Sequence, residues 1–218
     1  MKIKWFGHSC FLITSASGAT LLTDPYDTTA FPDTLFYTPI EAAPDVVTVS
    51  HHHADHDNTG ALGGAPVIVT TAEPRQVHGF GIRGVAAWHD TEGGARRGDN
   101  MVFILSADGV TVCHLGDLGH ELDSERAAAI GPVDVLLIPV GGNFTIDAAT
   151  ATRVWRQLDP AIAIPMHFRN DRCLFAIDGV DAFLKDKKDV DITGTSDIDL
   201  EEAGLPAGHK IIVLEPAN

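Results

Sequence analysis

Apolar residues come in short bursts along this chain, most of them too brief for helices until the last third. The segments Ile3-Lys4-Trp5-Phe6, Cys10-Phe11-Leu12-Ile13-Thr14 and Thr20-Leu21-Leu22-Thr23 read as strands. Ser15-Ala16-Ser17-Gly18 is a turn between the second and third. An irregular stretch with prolines at 25, 32 and 39 fills residues 24–39. Loops of that length inside a compact fold tend to be functional, so it is expected to face substrate. Another apolar run, Asp45-Val46-Val47-Thr48-Val49-Ser50, predicts a strand. Further strands are expected at 66–70 and at 84–88, the latter ending at His89, with a short helix at 72–78 between them. Residues 101–105 and 110–114 form a predicted hairpin closed by Ala107-Asp108-Gly109, where Asp-Gly suits a tight turn. After that the pattern turns regular, with helices at 123–130, 147–158 and 179–185 and strands at 133–138, 161–165 and 210–214. Strands and helices interleave with no linker or repeat, which predicts one α/β domain over residues 1–218.

Composition narrows the function. The chain is 44% hydrophobic and 21% charged, as expected of a globular protein with a substantial core. No apolar run approaches the length of a membrane span. The start, through Phe6, is broken at once by Gly7-His8-Ser9 and lacks a small-residue cleavage site, so it reads as a first strand in a cytoplasmic protein. Fifteen Lys and Arg against 30 Asp and Glu give a formal charge of -15. That argues against nucleic acid as a partner, since phosphate backbones are bound through basic side chains. A small substrate, anionic or not, remains compatible, because bound cations make a pocket locally positive. A homo-oligomer is compatible as well. Cys10, Cys113 and Cys173 are far apart and odd in number, which fits buried thiols in a reducing compartment.

The run His51-His52-His53-Ala54-Asp55-His56 places five potential metal ligands in six residues directly after a strand. In extended chain, residues two apart point the same way, so His51 and His53 can close on one ion while His52 points away. A turn would free Asp55 and His56 for a second ion. Imidazole with carboxylate suits zinc, and also iron or manganese. Three more strands run into a candidate ligand, at Ala87-Trp88-His89, His114-Leu115-Gly116-Asp117 and Pro165-Met166-His167. Strand ends that converge on one sheet edge make a site.

These motifs, with Gly7-His8-Ser9-Cys10-Phe11-Leu12-Ile13 and Asp24-Pro25, resemble the metallo-β-lactamase superfamily. Within it they are most similar to small metal-dependent hydrolases related to ascorbate-6-phosphate lactonase. The resemblance implies a four-layer αββα sandwich. It also implies two divalent metal ions, the first on His51, His53 and His89, the second on Asp55, His56 and His167, with Asp117 bridging. It favours Asp24 as a carboxylate that orients a ligand histidine over a turn-forming Asp. The chain departs from that branch at Gly116-Asp117-Leu118, where Gly-Asp-Thr is common.

Two ions near each other would acidify a shared water, so the expected chemistry is hydrolysis of an ester, lactone or phosphoester by hydroxide, with Asp55 and Asp117 in catalytic positions. His8 and His114 are the candidate proton donors. The competing roles are a turn hydrogen bond for His8 and support of a ligand for His114. Arg169 and Arg172 are candidates to clamp an anionic group, or are plain surface residues. His78, His120 and His209 have no partner motif, and residues 186–202 read as a solvated acidic face. Substrate contacts are expected from loops at 25–38, 90–100 and 141–146. Two other readings stay open: a nucleic-acid phosphodiesterase of the same fold, and a redox or metal-binding protein on the same scaffold.

Overall fold

Short strands joined by tight turns build most of the computed structural model, which describes residues 1–217. In chain order the elements are β1 (Lys2–Gly7), β2 (Cys10–Thr14), β3 (Thr20–Thr23), β4 (Val46–Thr48), β5 (Val67–Val69), β6 (Arg75–Val77), β7 (Phe80–Trp88), β8 (Asp99–Ala107) and β9 (Val110–His114). There follow α1 (Ser124–Ile130), β10 (Val135–Pro139), α2 (Ala148–Leu158), β11 (Ile162–Met166), α3 (Asp181–Leu184), β12 (Val190–Ile192), β13 (Asp197–Asp199), α4 (Leu200–Ala203) and β14 (Lys210–Val213). They form a six-stranded sheet, ordered β13-β1-β2-β3-β4-β5, and an eight-stranded sheet, ordered β12-β14-β11-β10-β9-β8-β7-β6.

Period-two alternation gives the first sheet two buried faces. Trp5, Phe11, Ile13, Leu21 and Val46 join Phe80, Phe103, Val112 and Leu137 of the second sheet in one large core. The alternate positions Cys10, Leu22 and Val47 pack instead with Tyr26, Leu35, Tyr37 and Ile40. Residues 24–43 therefore cover the outer face of the first sheet more than they face substrate; Phe31 is the residue of this segment that reaches the cavity described below. The second sheet carries α1 against β7 and α2 against β10, the latter through buried Ala151, Val154 and Leu158. Asp123 and Asp147 cap these helices by accepting from the backbone N–H groups of Arg126 and Thr150, as their polar-then-apolar spacing predicts.

Two expectations are corrected. Residues 72–78 contain no helix: β6 pairs antiparallel with β7 across His78-Gly79, both with positive φ (49° and 85°). That two-residue turn matches strand twist and selects a hairpin over the short helical pattern. The acidic stretch 186–202 is more than a solvated face. It contributes β12 to the edge of one sheet and β13 to the edge of the other, with Lys210–Asp191 and Lys2–Asp197 pairs at 2.8 Å along them. The helix expected at 179–185 is the four-residue α3.

Strand direction positions everything that follows. β7 is antiparallel to β8 and β8 to β9, while β9, β10 and β11 are mutually parallel neighbours. The chain thus leaves β7, β9, β10 and β11 at the same edge. By the same logic β1, β3 and β4 end together in the first sheet. The two edges are stitched by His167 N–H donating to the His8 carbonyl (3.2 Å) and Met101 N–H to the Ser50 carbonyl (2.8 Å).

Leu137, fully buried in central β10, and Ile192, 69% exposed in edge strand β12, give a direct test of where the core lies. Leu137→Ala should cost about 2–5 kcal/mol in urea unfolding. Ile192→Ala should stay within about 0.5 kcal/mol.

Candidate metal centre

Seven of the candidate ligands meet where the two sheet edges face each other. His51, His53 and His89 place their ligand nitrogens within 4.8 Å of one another, with ring centroids 4.5–5.1 Å apart. Beside them, Asp55, His56 and His167 form a second group of the same span, which also includes His8. Asp117 lies between the groups. Its Oδ2 is 3.2 Å from His89 Nε2 on one side and 3.3 Å from both His56 Nε2 and His167 Nε2 on the other. A third group of the same span, Asp24, His51 and His56, joins the two.

The backbone is bent to make this convergence. His8, Asp24 and His167 each follow a strand with φ between 39° and 51°, the left-handed region that side chains avoid. Such conformations cost of order 1–3 kcal/mol each and cluster at functional sites. Gly116 (φ 54°) precedes Asp117 with its α-carbon so close to Ser50 and Asn100 that a Cβ would come within 2.6 Å of both side chains. Asn100 holds the turn from both sides, accepting the Asp117 N–H (2.9 Å) and donating to the Leu115 carbonyl (2.9 Å). Leu118, where the branch has threonine, is fully buried in the main core.

A buried carboxylate behind the ligands fixes their tautomers. Asp24 accepts from the Ser50 backbone N–H (2.8 Å), from the Ser50 hydroxyl (2.5 Å) and from His56 Nδ1 (2.9 Å). Because the Ser50 hydroxyl proton goes to Asp24, its oxygen receives the Nδ1–H of His51 at 2.9 Å. One carboxylate therefore turns the Nε2 atoms of two imidazoles into the site, where a bound ion would displace the proton that His56 otherwise carries there. Ser50 escaped the sequence reading, although its place between a strand and His51 was the available signal.

The electrostatics favour cations. Desolvation, with neighbouring imidazoles, pushes His51 down to about 3 and His8 down to about 4, so these rings are neutral. Desolvation opposes the charge on His56, but Asp117 and Asp55 outweigh it and lift His56 well above the ordinary range. Burial likewise opposes the charge on Asp117, yet His167 and His56 hold it well below the ordinary carboxylate range. His51 Nε2, His56 Nε2 and Asp117 Oδ1 are buried with no hydrogen-bond partner among the described residues. Orphaned atoms of this kind are costly unless something binds them, and imidazole nitrogen with carboxylate oxygen is the donor set of zinc, iron or manganese. The residues present fit divalent metal.

Both proposed proton donors are displaced from that role. His114 is fully buried, with Nε2 on the Ser9 carbonyl (2.9 Å) and Nδ1 accepting the Gly116 N–H (3.2 Å); it ties strand ends together and does not line the cavity. His8 sits behind Asp55, with Nε2 3.1 Å from Asp55 Oδ2, and does not line the cavity either. Arg169 and Arg172 are exposed and away from the cavity, whose arginines are Arg96 and Arg97. The cavity measures about 470 Å³ and opens over Asp55, His89, Asp117 and His167. Phe31, Arg96, Arg97 and Phe144 come from the three loops expected to meet substrate, and Phe175 from a segment that was not. His52 is exposed and pairs with Asp57, outside the cluster.

The chain matches the model of a beta-lactamase superfamily domain over residues 2–167. It is 34% identical over 194 residues to a UPF0173 metal-dependent hydrolase of Carboxydothermus hydrogenoformans, covering 77% of this chain and 84% of that protein. Among solved structures, one from Thermotoga maritima, described as a candidate zinc-dependent hydrolase of the metallo-beta-lactamase superfamily, is 34% identical. It covers 98% of both chains with a TM-score of 0.81. Igni18, a metallo hydrolase of Ignicoccus hospitalis, shares the fold at 23% identity, with a TM-score of 0.66 over 100% of this chain and 96% of its own. The two-sheet α/β architecture is that of the metallo-β-lactamase fold.

Because Asp24 orients two ligands without touching the cavity, Asp24→Asn should weaken zinc binding about 10- to 100-fold. Competition with a chromophoric chelator measures this, with circular dichroism to check that the fold is kept. Unchanged affinity in a folded variant would remove Asp24 from the site.

Proposed function

This chain belongs to the metallo-β-lactamase superfamily and is a metal-dependent hydrolase, and from that premise we propose that it works through two divalent ions, zinc first among them, on a small-molecule ester, lactone or phosphoester. One observation supports the dinuclear reading above others: Asp117 Oδ2 stands within 3.3 Å of imidazole nitrogens from both ligand groups. His51, His53 and His89 would hold the first ion, Asp55, His56 and His167 the second, with Asp117 shared. The motifs that resemble the ascorbate-6-phosphate lactonase branch favour lactones within this range. The buried free thiols of Cys10, Cys113 and Cys173 suit a reducing cytoplasm.

Bound ions supply Lewis acidity, which makes water nucleophilic near neutral pH and stabilises negative charge on a substrate oxygen. The protein supplies the rest. Asp24 and Ser50 hold the Nδ1 atoms of His56 and His51, so that Nε2 of each faces the site. Asp55 lines the cavity and receives His8 Nε2–H, so its carboxylate is kept charged and oriented toward the attacking water. His8 is thus a positioning residue for Asp55. The aromatic rings at the mouth, Phe31, Phe144 and Phe175, exclude bulk water from the reacting atoms.

The test is a screen of zinc-loaded protein against lactones, phosphodiesters and thioesters, with Asp117→Ala alongside and bound metal counted by elemental analysis. Wild type should carry two equivalents. Asp117→Ala should bind the second ion poorly and lose turnover by roughly 100-fold or more. Full activity in that variant, or a single equivalent in the active wild type, would refute the shared carboxylate.

A further inference from the structure

One basic side chain at the cavity mouth has no acidic partner among the described residues. Arg96 is exposed and pairs with Glu92 at 3.5 Å. Arg97 is half-buried, lines the cavity and makes no ion pair among the described residues. Its guanidinium lies 5.3 Å from the centre of the Phe144 ring. From there an edge-to-face strip runs along the wall, Phe144 to Phe175 (6.2 Å) and Phe175 to Phe31 (5.2 Å). Phe175 in turn abuts the His8 ring at 5.6 Å, so the strip ends beside the ligand cluster.

The loop that bears Arg97 is fixed in advance. Asp90 is 5% exposed and spends both oxygens on the loop's own backbone, accepting from Glu92 and Gly94 at Oδ1 and from Arg96 and Arg97 at Oδ2, all within 2.9 Å. The loop is closed by His89 N–H on the Gly98 carbonyl (3.0 Å). Asp90 is therefore committed to holding the arginine's backbone, and the guanidinium makes no ion pair with any carboxylate among the described residues, Asp99 two positions on included. A preorganised guanidinium on an aromatic face is suited to binding a planar anion. In a chain of net charge -15, an uncompensated arginine at this mouth is out of keeping with the bulk charge.

We propose that the cavity selects substrates joining an apolar ring or acyl group to a neighbouring carboxylate or phosphate, and that Arg97 binds the anion while Phe31, Phe144 and Phe175 bind the apolar part. The proposal rests on the hydrolytic reading of the site above. It makes Arg97 a determinant of specificity and assigns it no part in the bond-breaking step. The cavity volume, about 470 Å³, is within the range that encloses a molecule of this size.

Two measurements test it. The first compares zinc-loaded wild type, Arg97→Ala and Arg97→Lys on two aryl esters that differ only by a ring carboxylate. The preference for the charged ester, as a ratio of kcat/KM values, should fall about tenfold or more in Arg97→Ala and recover in part in Arg97→Lys. The second titrates the same proteins with phenylphosphonate by calorimetry, where Arg97→Ala should weaken binding by a similar factor at unchanged zinc content and unfolding temperature. An unchanged ratio together with unchanged phenylphosphonate affinity overturns the role of Arg97 and leaves the hydrolase standing. No turnover of either ester, with phenylphosphonate affinity still falling in Arg97→Ala, keeps the anion site and removes esters from the proposed hydrolytic range.

Discussion

A carboxylate sealed between two sheets can stay ionised only if positive charge surrounds it, and Asp117 is such a group. It is 2% exposed and has imidazole nitrogens at 3.2–4.0 Å from His51, His56, His89 and His167. An unpaired charge in that position would be strongly unfavourable. The fold buries Asp117 beside the raised His56 and among histidines from three segments, which meet there because the strands that precede them end at one edge. The same demand that makes the centre hard to build makes it a strong site for cations.

The surrounding structure meets that demand through close backbone approaches. Gly116 lets the Asp117 turn press against Ser50 and Asn100. Gly119 does the same on the other side, where a Cβ would fall 2.2 Å from the backbone of His89 and Asp90. The left-handed residues His8, Asp24 and His167 spend local strain on orientation. Behind them Asp24 unites Ser50, His51 and His56 in one hydrogen-bonded unit, so that ligand geometry is held by protein before any ion arrives.

Chemistry and selectivity are carried by different parts of the chain. The ligands sit at strand ends and are tied to the sheets. The cavity walls come from loops, where Asp90 gives one segment a rigidity that loops ordinarily lack. A binding surface can thus change while the reacting centre stays fixed, which is a general advantage of mounting loops on a stiff scaffold.

The candidate ligands that converge were readable from the residues, because strand patterning followed immediately by His or Asp is a local signal and it recurs four times. The hairpin at Asp108-Gly109 and the helices that start at Asp123 and Asp147 were readable for the same reason: each is decided by neighbours in sequence. Where the pattern was brief and its partner distant, the reading failed. Arg75–Val77 became a strand through pairing with β7, and 186–202 closed two sheet edges that no local period announces. The apportioning of histidines between the ligand groups, the retreat of His8 and His114 from the cavity, and the choice of Arg97 over Arg169 and Arg172 depend on contacts between segments far apart in the chain. Such contacts are set by packing and burial, and those exist only once the sheets have closed on each other.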